Sequence, residues 1–245
     1  MESVFMINQT VKAFLLYMIQ YGTGLLVLHR GMRVNYTRKI NHFCLFFLPV
    51  YIDRIFAYED SFGLFSLSSA CAVASLLLYI KPLRERVPVI ATMFRSFDRP
   101  EDRPHTLLWL STQITAGFLV IIPMIILFAR HNLLDLIFIP ILVNGIGDGL
   151  AEPVGIRFGR HTYSVYALFT RKKYVRSIEG SACVFLTSVI AISAYHACFS
   201  PLQFGIALTC FPAVMTLAEA LSPHTWDSPF LFLTGYLSLF VIATL

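Results

Sequence analysis

Charged residues are scarce in this sequence, and their scarcity excludes most soluble architectures. Only 13% of the residues are Asp, Glu, Lys or Arg, whereas a soluble domain carries roughly a quarter. Apolar residues reach 57%, and the 22 phenylalanines are more than a water-soluble core of this size can bury. The composition therefore excludes a disordered chain and a typical soluble α/β enzyme, and it indicates a polytopic membrane protein.

Paired cysteines and nucleic-acid-binding patterns are also missing. The five cysteines are odd in number, lie in apolar stretches and form no CxxC pair, so we interpret them as small buried hydrophobic residues. The net charge is +5, but no basic stripe is interleaved with aromatic residues. The basic residues instead lie in short segments between apolar runs, where they flank a membrane rather than bind nucleic acid.

Eight apolar runs predict an all-α fold. Because about 20 residues are needed to cross the hydrocarbon core, the chain is expected to be a polytopic integral membrane protein with about eight transmembrane helices (seven to nine). The runs are 4–28, 42–57, 62–80, 107–129, 133–152, 181–199, 202–221 and 228–245. We expect residues 1–245 to form a single transmembrane domain.

The basic residues have a sided distribution. The connections 29–41, 81–106 and 153–180 hold 16 of the 19 Lys and Arg residues, and all three fall on one side if the chain crosses eight times. The positive-inside rule makes that side cytoplasmic. We therefore expect a multi-pass integral membrane protein with both termini on the opposite side.

Two acids lie in an apolar, glycine-rich run. Asp148 and Glu152 are four residues apart, so on a helix they share a face. Two close carboxylates repel unless a cation or a proton lies between them, and Mg²⁺ prefers one or two carboxylates with phosphate oxygens and water. The neighbouring glycines, including Gly155 and Gly159, would let backbone amides approach phosphate. The alternative is a glycine-rich helix-packing surface with an incidental acid pair.

A basic stretch precedes the run 181–199. Either Ser177 or Ser181 is placed to cap that helix, and Glu179 would favour its positive end. The cations of this stretch would face a polyphosphate at the cytoplasmic surface; they are Arg171, Lys172, Lys173 and Arg176. A simple positive-inside flank is the alternative for Arg171 and Lys172.

Three further segments carry candidate residues. Arg38, Lys39 and His42 precede the second run and are candidates to meet phosphate. Glu219 lies inside an apolar helix, which is costly without a partner or a metal, and Asp227 is either a metal ligand or a plain helix cap. The mixed-charge loop 95–105 either closes over a nucleotide or is a solvated connector.

Four segments, in this order, resemble the CTP-dependent polyprenol and lipid kinases, which include phytol kinase, dolichol kinase and the CTP-using diacylglycerol kinase. They are Thr37-Arg38-Lys39-(x)2-His42, Gly147-Asp148-(x)2-Ala151-(x)3-Gly155-(x)2-Phe158-Gly159, Arg176-Ser177-Ile178-Glu179-Gly180-Ser181 and Glu219-Ala220-Leu221-Ser222-Pro223-(x)3-Asp227. The resemblance spans residues 35 to 235. The chain departs from the family in one place, because Ser228 stands where the family has Asn after the Asp.

The resemblance implies that a nucleotide and metal site forms mainly from 145–181 and 219–228 on the cytoplasmic side. CTP would donate its γ-phosphoryl group to the hydroxyl of a lipid alcohol, with Mg²⁺ as cofactor. Metal ligands would be Asp148, Glu152 and Asp227, with Glu219 a further candidate, and Asp148 or Glu179 would act on the hydroxyl proton. Nucleotide-binding residues would be Arg38, Lys39, His42, Gly155, Arg157, Gly159, Lys172, Lys173, Arg176, Ser177 and Gly180.

Substrate and reaction class have alternatives. An isoprenoid alcohol such as phytol is slightly preferred as acceptor over diacylglycerol, because the short single-domain layout resembles phytol kinase. Phosphatidate cytidylyltransferase shares the second motif, but its later motifs have no match after residue 181. An ion-coupled transporter that uses Asp148, Glu152 and Glu219 as a relay is the third hypothesis, although no inverted repeat is visible.

Overall fold

The computed structural model describes residues 2–59, 61–168 and 172–245, so Arg171 lies outside the described residues. Contacts divide the chain into two compact units, Met1–Ser111 and Thr112–Leu245. The first unit contains α1 (Glu2–Arg30), α2 (Val34–Ile55), α3 (Phe62–Ser75) with a 3-10 turn (Leu76–Tyr79), α4 (Lys81–Arg86), α5 (Pro88–Arg95) and a second 3-10 turn (Pro100–Asp102). Helix α6 (Thr106–Arg130) begins in this unit and continues into the second.

The second unit holds the remaining elements. They are a 3-10 turn (Leu134–Ile137), α7 (Phe138–Leu142), a π-helical turn (Val143–Asp148), α8 (Gly149–Phe158), β1 (Thr162–Tyr166), β2 (Lys173–Ser177), α9 (Ile178–Ala194), a 3-10 turn (His196–Cys198), α10 (Pro201–Leu221) and α11 (Asp227–Ala243). Helix α10 packs on both α9 and α11. Val184, Phe211 and Leu231, one from each helix, have no solvent exposure and form the centre of this core.

The chain is mainly helical, as the composition indicates. Among the described residues, five helical segments are long and apolar enough to cross a membrane: Ser3–Arg30, Phe62–Tyr79, Thr106–Arg130, Leu134–Phe158 and Pro201–Leu221. Ile178–Ala194 and Asp227–Ala243 are apolar but shorter. The second run, 42–57, lies mostly in α2, which begins earlier, at Val34, and carries Arg38, Lys39, Asp53 and Arg54.

The all-α expectation misses one element, a two-stranded antiparallel hairpin inside the connection 153–180. Its register pairs Tyr163 with Arg176 and Tyr166 with Lys173. Both strands are only five residues long and alternate in burial, which is the period of a strand. A search for apolar runs long enough to span a membrane passes over strands of this length.

Buried polar contacts hold α1 against α2 in the first unit. Lys12 Nζ lies 2.5 Å from Asp53 Oδ1, and Asn8 Nδ2 donates to the same oxygen at 2.9 Å. Both Asn8 and Lys12 are buried, so the pair satisfies charges that would otherwise be costly in an apolar setting. The contact fixes the rotation of α1 relative to α2.

The loop 95–105 is an internally paired segment rather than a solvated connector. Arg99 Nε lies 2.6 Å from Asp102 Oδ2, and both side chains are almost fully buried. From α2, Thr37 Oγ1 donates to the carbonyl of Ser96 at 2.7 Å, and Asn41 Nδ2 donates to its hydroxyl at 2.9 Å. Thr37 and Asn41 are one turn apart, so α2 holds the start of the loop at two points.

Helices α1 and α5 pack closely against each other at Gly24. A Cβ atom added there would overlap the carbonyl oxygen of Thr92, whereas one added at Gly22, on the same helix, would meet nothing within 4 Å. A methyl group at position 24 must therefore push α5 away.

We predict opposite effects for two matched substitutions. Gly22→Ala should leave the melting temperature unchanged or raise it, because alanine is favoured over glycine inside a helix by about 0.5–1 kcal/mol. Gly24→Ala should lower the melting temperature despite the same gain. Thermal unfolding of the detergent-solubilised protein measures both, and equal melting temperatures for the two variants would contradict the close α1–α5 contact.

Candidate functional site

Arg176 lies at the centre of a buried polar cluster in the second unit. Its Nη1 is 3.1 Å from Glu219 Oε1, and its Nη2 is 3.6 Å from Asp227 Oδ2. Nη1 also donates to the carbonyl oxygen of Glu219 and to Ser222 Oγ. The side chain of Arg176 is only 11% exposed, so this cation depends on the acids around it.

The second oxygen of Glu219 continues the network toward the hairpin. Ser181 Oγ donates to Glu219 Oε2 at 2.7 Å, and Tyr163 OH lies 2.6 Å from Ser181 Oγ. Tyr163 is the cross-strand partner of Arg176, so the series of contacts that begins at Arg176 ends on the residue opposite it in the hairpin. Because both oxygens of Glu219 have partners, this buried carboxylate acts as the link between α10, α9 and the hairpin.

Asp227 begins α11 and is held by α6. Gln113 Nε2 donates to Asp227 Oδ1 at 3.2 Å and to Ser228 Oγ at 3.0 Å. Ser228 Oγ in turn donates to Asn144 Oδ1 in the π-helical turn at 3.2 Å. The residue that departs from the family pattern therefore bridges α6, α11 and the π-helical turn.

Asp148 is the third acid of the cluster. It closes the π-helical turn and is 4% exposed. Burial opposes the charge of Arg176, but the carboxylates of Asp227, Glu219 and Asp148 outweigh burial and raise the pKa of the guanidinium. Glu219 and Asp227 thus contact the guanidinium directly, and Asp148 acts on it through its charge.

Tyr163 remains a neutral phenol at the edge of this cluster. Burial is the largest cause that raises its pKa, and the charge of Glu219 raises it further, against the opposing effects of Ser181 and Arg176. A neutral phenol can donate its proton to Ser181, which keeps the hydroxyl chain in one direction toward Glu219.

Glycines of the second and third motifs serve close packing. A Cβ atom at Gly155 would lie 2.8 Å from Ser177 Oγ, and one at Gly180 would lie 2.6 Å from the carbonyl oxygen of Ala151. Gly159 is equally close to Ser177. The space at these three glycines is filled by the chain itself, which matches the alternative interpretation of a packing surface between α8 and the start of α9.

Ser177 is the one of the two candidate serines, Ser177 and Ser181, that caps α9. Its hydroxyl accepts a hydrogen bond from the amide of Gly180 at 3.0 Å. This contact fixes the junction between β2 and α9, one residue after Arg176. A cap in this position keeps the strand and the helix at a defined angle, so it supports Arg176 indirectly.

Glu179 lies at the base of the hairpin. Its carboxylate accepts from the amide of His161 at 3.2 Å and lies 2.9 Å from His161 Nδ1. These contacts join α9 to the start of β1. The general-base role that the sequence offers to Asp148 or Glu179 stays a prediction for both residues.

Lys173 lies on the opposite face of β2 from Arg176. The two residues are separated by an odd number of peptide steps, so their side chains alternate across the strand. Lys173 Nζ lies over the ring of Tyr166, at 5.2 Å, and Lys172 Nζ lies over the ring of Tyr174, at 5.1 Å. Lys173 and Arg176 therefore do not form one cationic surface, and contact of Lys172 and Lys173 with a polyphosphate stays a prediction.

The remaining predicted residues lie on α8 and on α2. Glu152 is half-buried on α8, one turn after Asp148, and Arg157 is exposed at the end of that helix. Arg38, Lys39 and His42 lie on α2 in the first unit, and their part in nucleotide binding stays a prediction.

Sequence reasoning missed Tyr163, Gln113 and Asn144. Tyr163 had a usable signal, because the alternation in 162–166 is typical of a strand whose partner would be the segment before Ser177. Gln113 and Asn144 offer no such signal, since single polar residues inside apolar helices do not reveal which acid they will contact.

A resident metal site made of protein side chains alone is not seen in the described part of the chain. No three His, Cys, Asp or Glu side chains there are grouped to hold an ion. Mg²⁺ generally keeps water and phosphate ligands and takes only one or two carboxylates. Mg²⁺ as a cofactor therefore stays a prediction.

Comparisons with known proteins find no relative of this chain. No family model, no curated protein and no solved structure matches the chain. The resemblance described above thus depends on the motif residues themselves, and their positions in the fold become the main support for any function.

We predict that Arg176 is needed for the stability of the second unit. Arg176→Met should destabilise the protein by about 3–5 kcal/mol, because it leaves buried carboxylates without their cation. The double variant Arg176→Met/Glu219→Gln should recover part of this loss, since one of those charges is removed as well.

Lys173→Met, on the outer face of the same strand, is the matched control and should change stability by less than about 0.5 kcal/mol. Denaturation in detergent measures all three variants. Equal losses for Arg176→Met and Lys173→Met would show that Arg176 is not a buried partner of the acids.

Proposed function

We propose that this protein is a multi-pass membrane lipid-alcohol kinase, which transfers the γ-phosphoryl group of CTP to the hydroxyl of an isoprenoid alcohol or diacylglycerol. One observation carries the proposal. Three of the motif segments, which are separated by up to about 80 residues of sequence, meet at Arg176: Glu219 and Asp227 pair with its guanidinium, and the buried Asp148 lies near enough for its charge to raise the guanidinium pKa. A motif that served only helix packing would not need to bring these charges together.

Helix direction in the second unit supports a single accessible face. Successive helices alternate in direction if α6, 134–158, α9, α10 and α11 each cross the membrane, so the end of α8, the start of α9, the end of α10 and the start of α11 lie on one side. That side carries the basic connection 153–180, which the positive-inside rule makes cytoplasmic. We propose eight crossings, with the cluster facing the cytoplasmic supply of nucleotide.

The cluster has the charges that phosphoryl transfer requires. When bound with the nucleotide, Mg²⁺ would be held by Asp148 and Asp227 and would neutralise charge on the phosphates. Arg176 is a fixed cation beside them and would contact a phosphate oxygen. Gln113 and Ser228 hold the carboxylate of Asp227 in place.

The reaction forms one bond and breaks another. The acceptor hydroxyl oxygen bonds to the γ-phosphorus, the bond from that phosphorus to the β–γ bridging oxygen breaks, and CDP leaves. The hydroxyl proton passes to a carboxylate of the cluster, with Asp148 as the candidate. Little further chemistry is asked of the protein, because positioning and charge neutralisation supply most of the catalysis in such transfers.

We predict label transfer from the γ position of CTP. Purified protein in mixed micelles with Mg²⁺ receives γ-labelled or α-labelled CTP, with phytol, a polyprenol, diacylglycerol or phosphatidate as acceptor. Label from the γ position should appear in one of the alcohols. Label from the α position in lipid, with release of pyrophosphate, would instead show a cytidylyltransferase, and no transfer to any acceptor would contradict both enzymes and favour the transporter hypothesis.

Asp148→Asn should lower the rate of γ-label transfer by at least about 100-fold, because it removes a charged ligand without changing the shape of the side chain. Asp135→Asn is the matched control, since Asp135 is exposed at the far end of the same helical segment. That control should keep the wild-type rate. Wild-type activity in Asp148→Asn would overturn the assignment of the cluster as the active site.

A further inference from the structure

The hairpin has a second face that the proposed site does not use. Side chains alternate along a strand, so the residues next to Arg176 in sequence point away from the cluster. Tyr163, Val165, Tyr174 and Arg176 are on the inner face and are buried or half-buried, whereas Val175 is 72% exposed and Tyr166 is 55% exposed.

Large apolar side chains continue this surface at both ends of the hairpin. Phe158 precedes it and is 61% exposed, and Ile178 follows it and is 60% exposed. Main-chain contact brings the two ends together, because the amide of Ile178 donates to the carbonyl of His161 at 2.9 Å. An exposed set of β-branched and aromatic residues of this kind generally marks a surface that something covers.

The charges on this surface have one sign. The sequence from Pro153 to Ile178 contains six Lys and Arg residues and no Asp or Glu. Of the described ones, only Arg176 faces the acids of the cluster; the others are exposed, namely Arg157, Arg160, Lys172 and Lys173. The outer surface therefore complements a negatively charged partner.

The position of the hairpin in the chain indicates which partner this is. Four residues before β1, a 25-residue segment long and apolar enough to cross a membrane ends at Phe158, and the apolar helix α9 begins at the residue after β2. A hairpin between two such helices lies at the level of the lipid headgroups. Cations with exposed aromatic and aliphatic residues are the combination that binds this layer.

We propose that the outer face of the β1–β2 hairpin binds the anionic phospholipid headgroups of its own membrane, with Val175 and Tyr166 at the headgroup level and Lys173, Arg157 and Arg160 contacting phosphate and carboxylate groups. The inner face of the same strands carries Arg176, so this contact fixes the height of the guanidinium relative to the membrane surface. The inference rests on the proposed membrane-spanning arrangement, but not on the kinase activity, since its test needs no nucleotide.

Site-specific photocrosslinking tests this proposal directly. The crosslinking residue p-benzoylphenylalanine replaces Val175 in the full-length protein, which is reconstituted in bilayer discs of phosphatidylcholine with a minority of phosphatidylserine. Mass spectrometry then identifies the lipid attached after illumination. The matched control places the same residue at Leu119, which is 69% exposed on the apolar helix α6 and should meet the lipid tails without selection between headgroups.

We expect lipid adducts at position 175 in which phosphatidylserine is enriched at least about threefold over its share of the bilayer, and adducts at position 119 that match that share. Combining Arg157→Gln, Arg160→Gln and Lys173→Gln should return the phosphatidylserine share of the adducts at position 175 to the bilayer share while the melting temperature stays unchanged. The proposal is overturned by adducts to protein rather than lipid at position 175, by the absence of lipid adducts there, or by a phosphatidylserine share equal to that of the bilayer.

Discussion

The guanidinium of Arg176 and the carboxylates of Asp148, Glu219 and Asp227 determine how the second unit is assembled. Each acid comes from a different element: the π-helical turn, the end of α10 and the start of α11. Burying three like charges together is unfavourable, and a single cation offsets only part of that repulsion. This excess of carboxylates over cations accounts for where the helix ends lie and for which face of the hairpin is polar. It also accounts for the attraction of the cluster for a further cation.

The hairpin is the element that delivers the cation. A helix in its place would put Arg176 and Lys173 on one face, because residues three apart in a helix are neighbours. In a strand they point to opposite sides, so Arg176 reaches the acids while Lys173 remains on the surface. Ser177 then ends the strand and caps α9 through Gly180, and Glu179 ties the start of the hairpin to the same helix through His161. The hairpin therefore directs the charge of Arg176 to the site and the charge of Lys173 to the surface.

Sequence patterns predict the helices well and the local irregularities poorly. The run 4–28 corresponds to α1 (Glu2–Arg30), and 202–221 corresponds to α10 (Pro201–Leu221), because a long apolar run bounded by charge has few alternatives. The cap at Ser177 is also predictable, since serine followed by a helical pattern is a strong local signal. The hairpin is missed because its strands are too short for a hydropathy signal. The π-helical turn is missed because its six residues read as ordinary helix.

The candidate site follows the same division. The sequence identifies four charged residues in or beside apolar segments, where an unpaired charge is energetically costly. They are Asp148, Arg176, Glu219 and Asp227. Their partners are set by three-dimensional packing: Tyr163 through the strand register, and Gln113 and Asn144 through the approach of α6 and the π-helical turn to α11. The glycines look like a phosphate cradle in sequence, but their spacing is equally that of a close contact between α8 and α9, and only the position of Ser177 distinguishes the two.

Thermal unfolding of the purified protein with and without Mg²⁺ and CTP tests the central claim most directly, namely that the excess negative charge around Arg176 is completed by a metal ion bound with a nucleotide. A ligand that binds only the folded state raises the melting temperature. We predict a clear rise when Mg²⁺ and CTP are added together, a much smaller change with either alone, and no rise in Asp148→Asn. A melting temperature that is the same in chelator and in saturating Mg²⁺ with CTP would contradict the account.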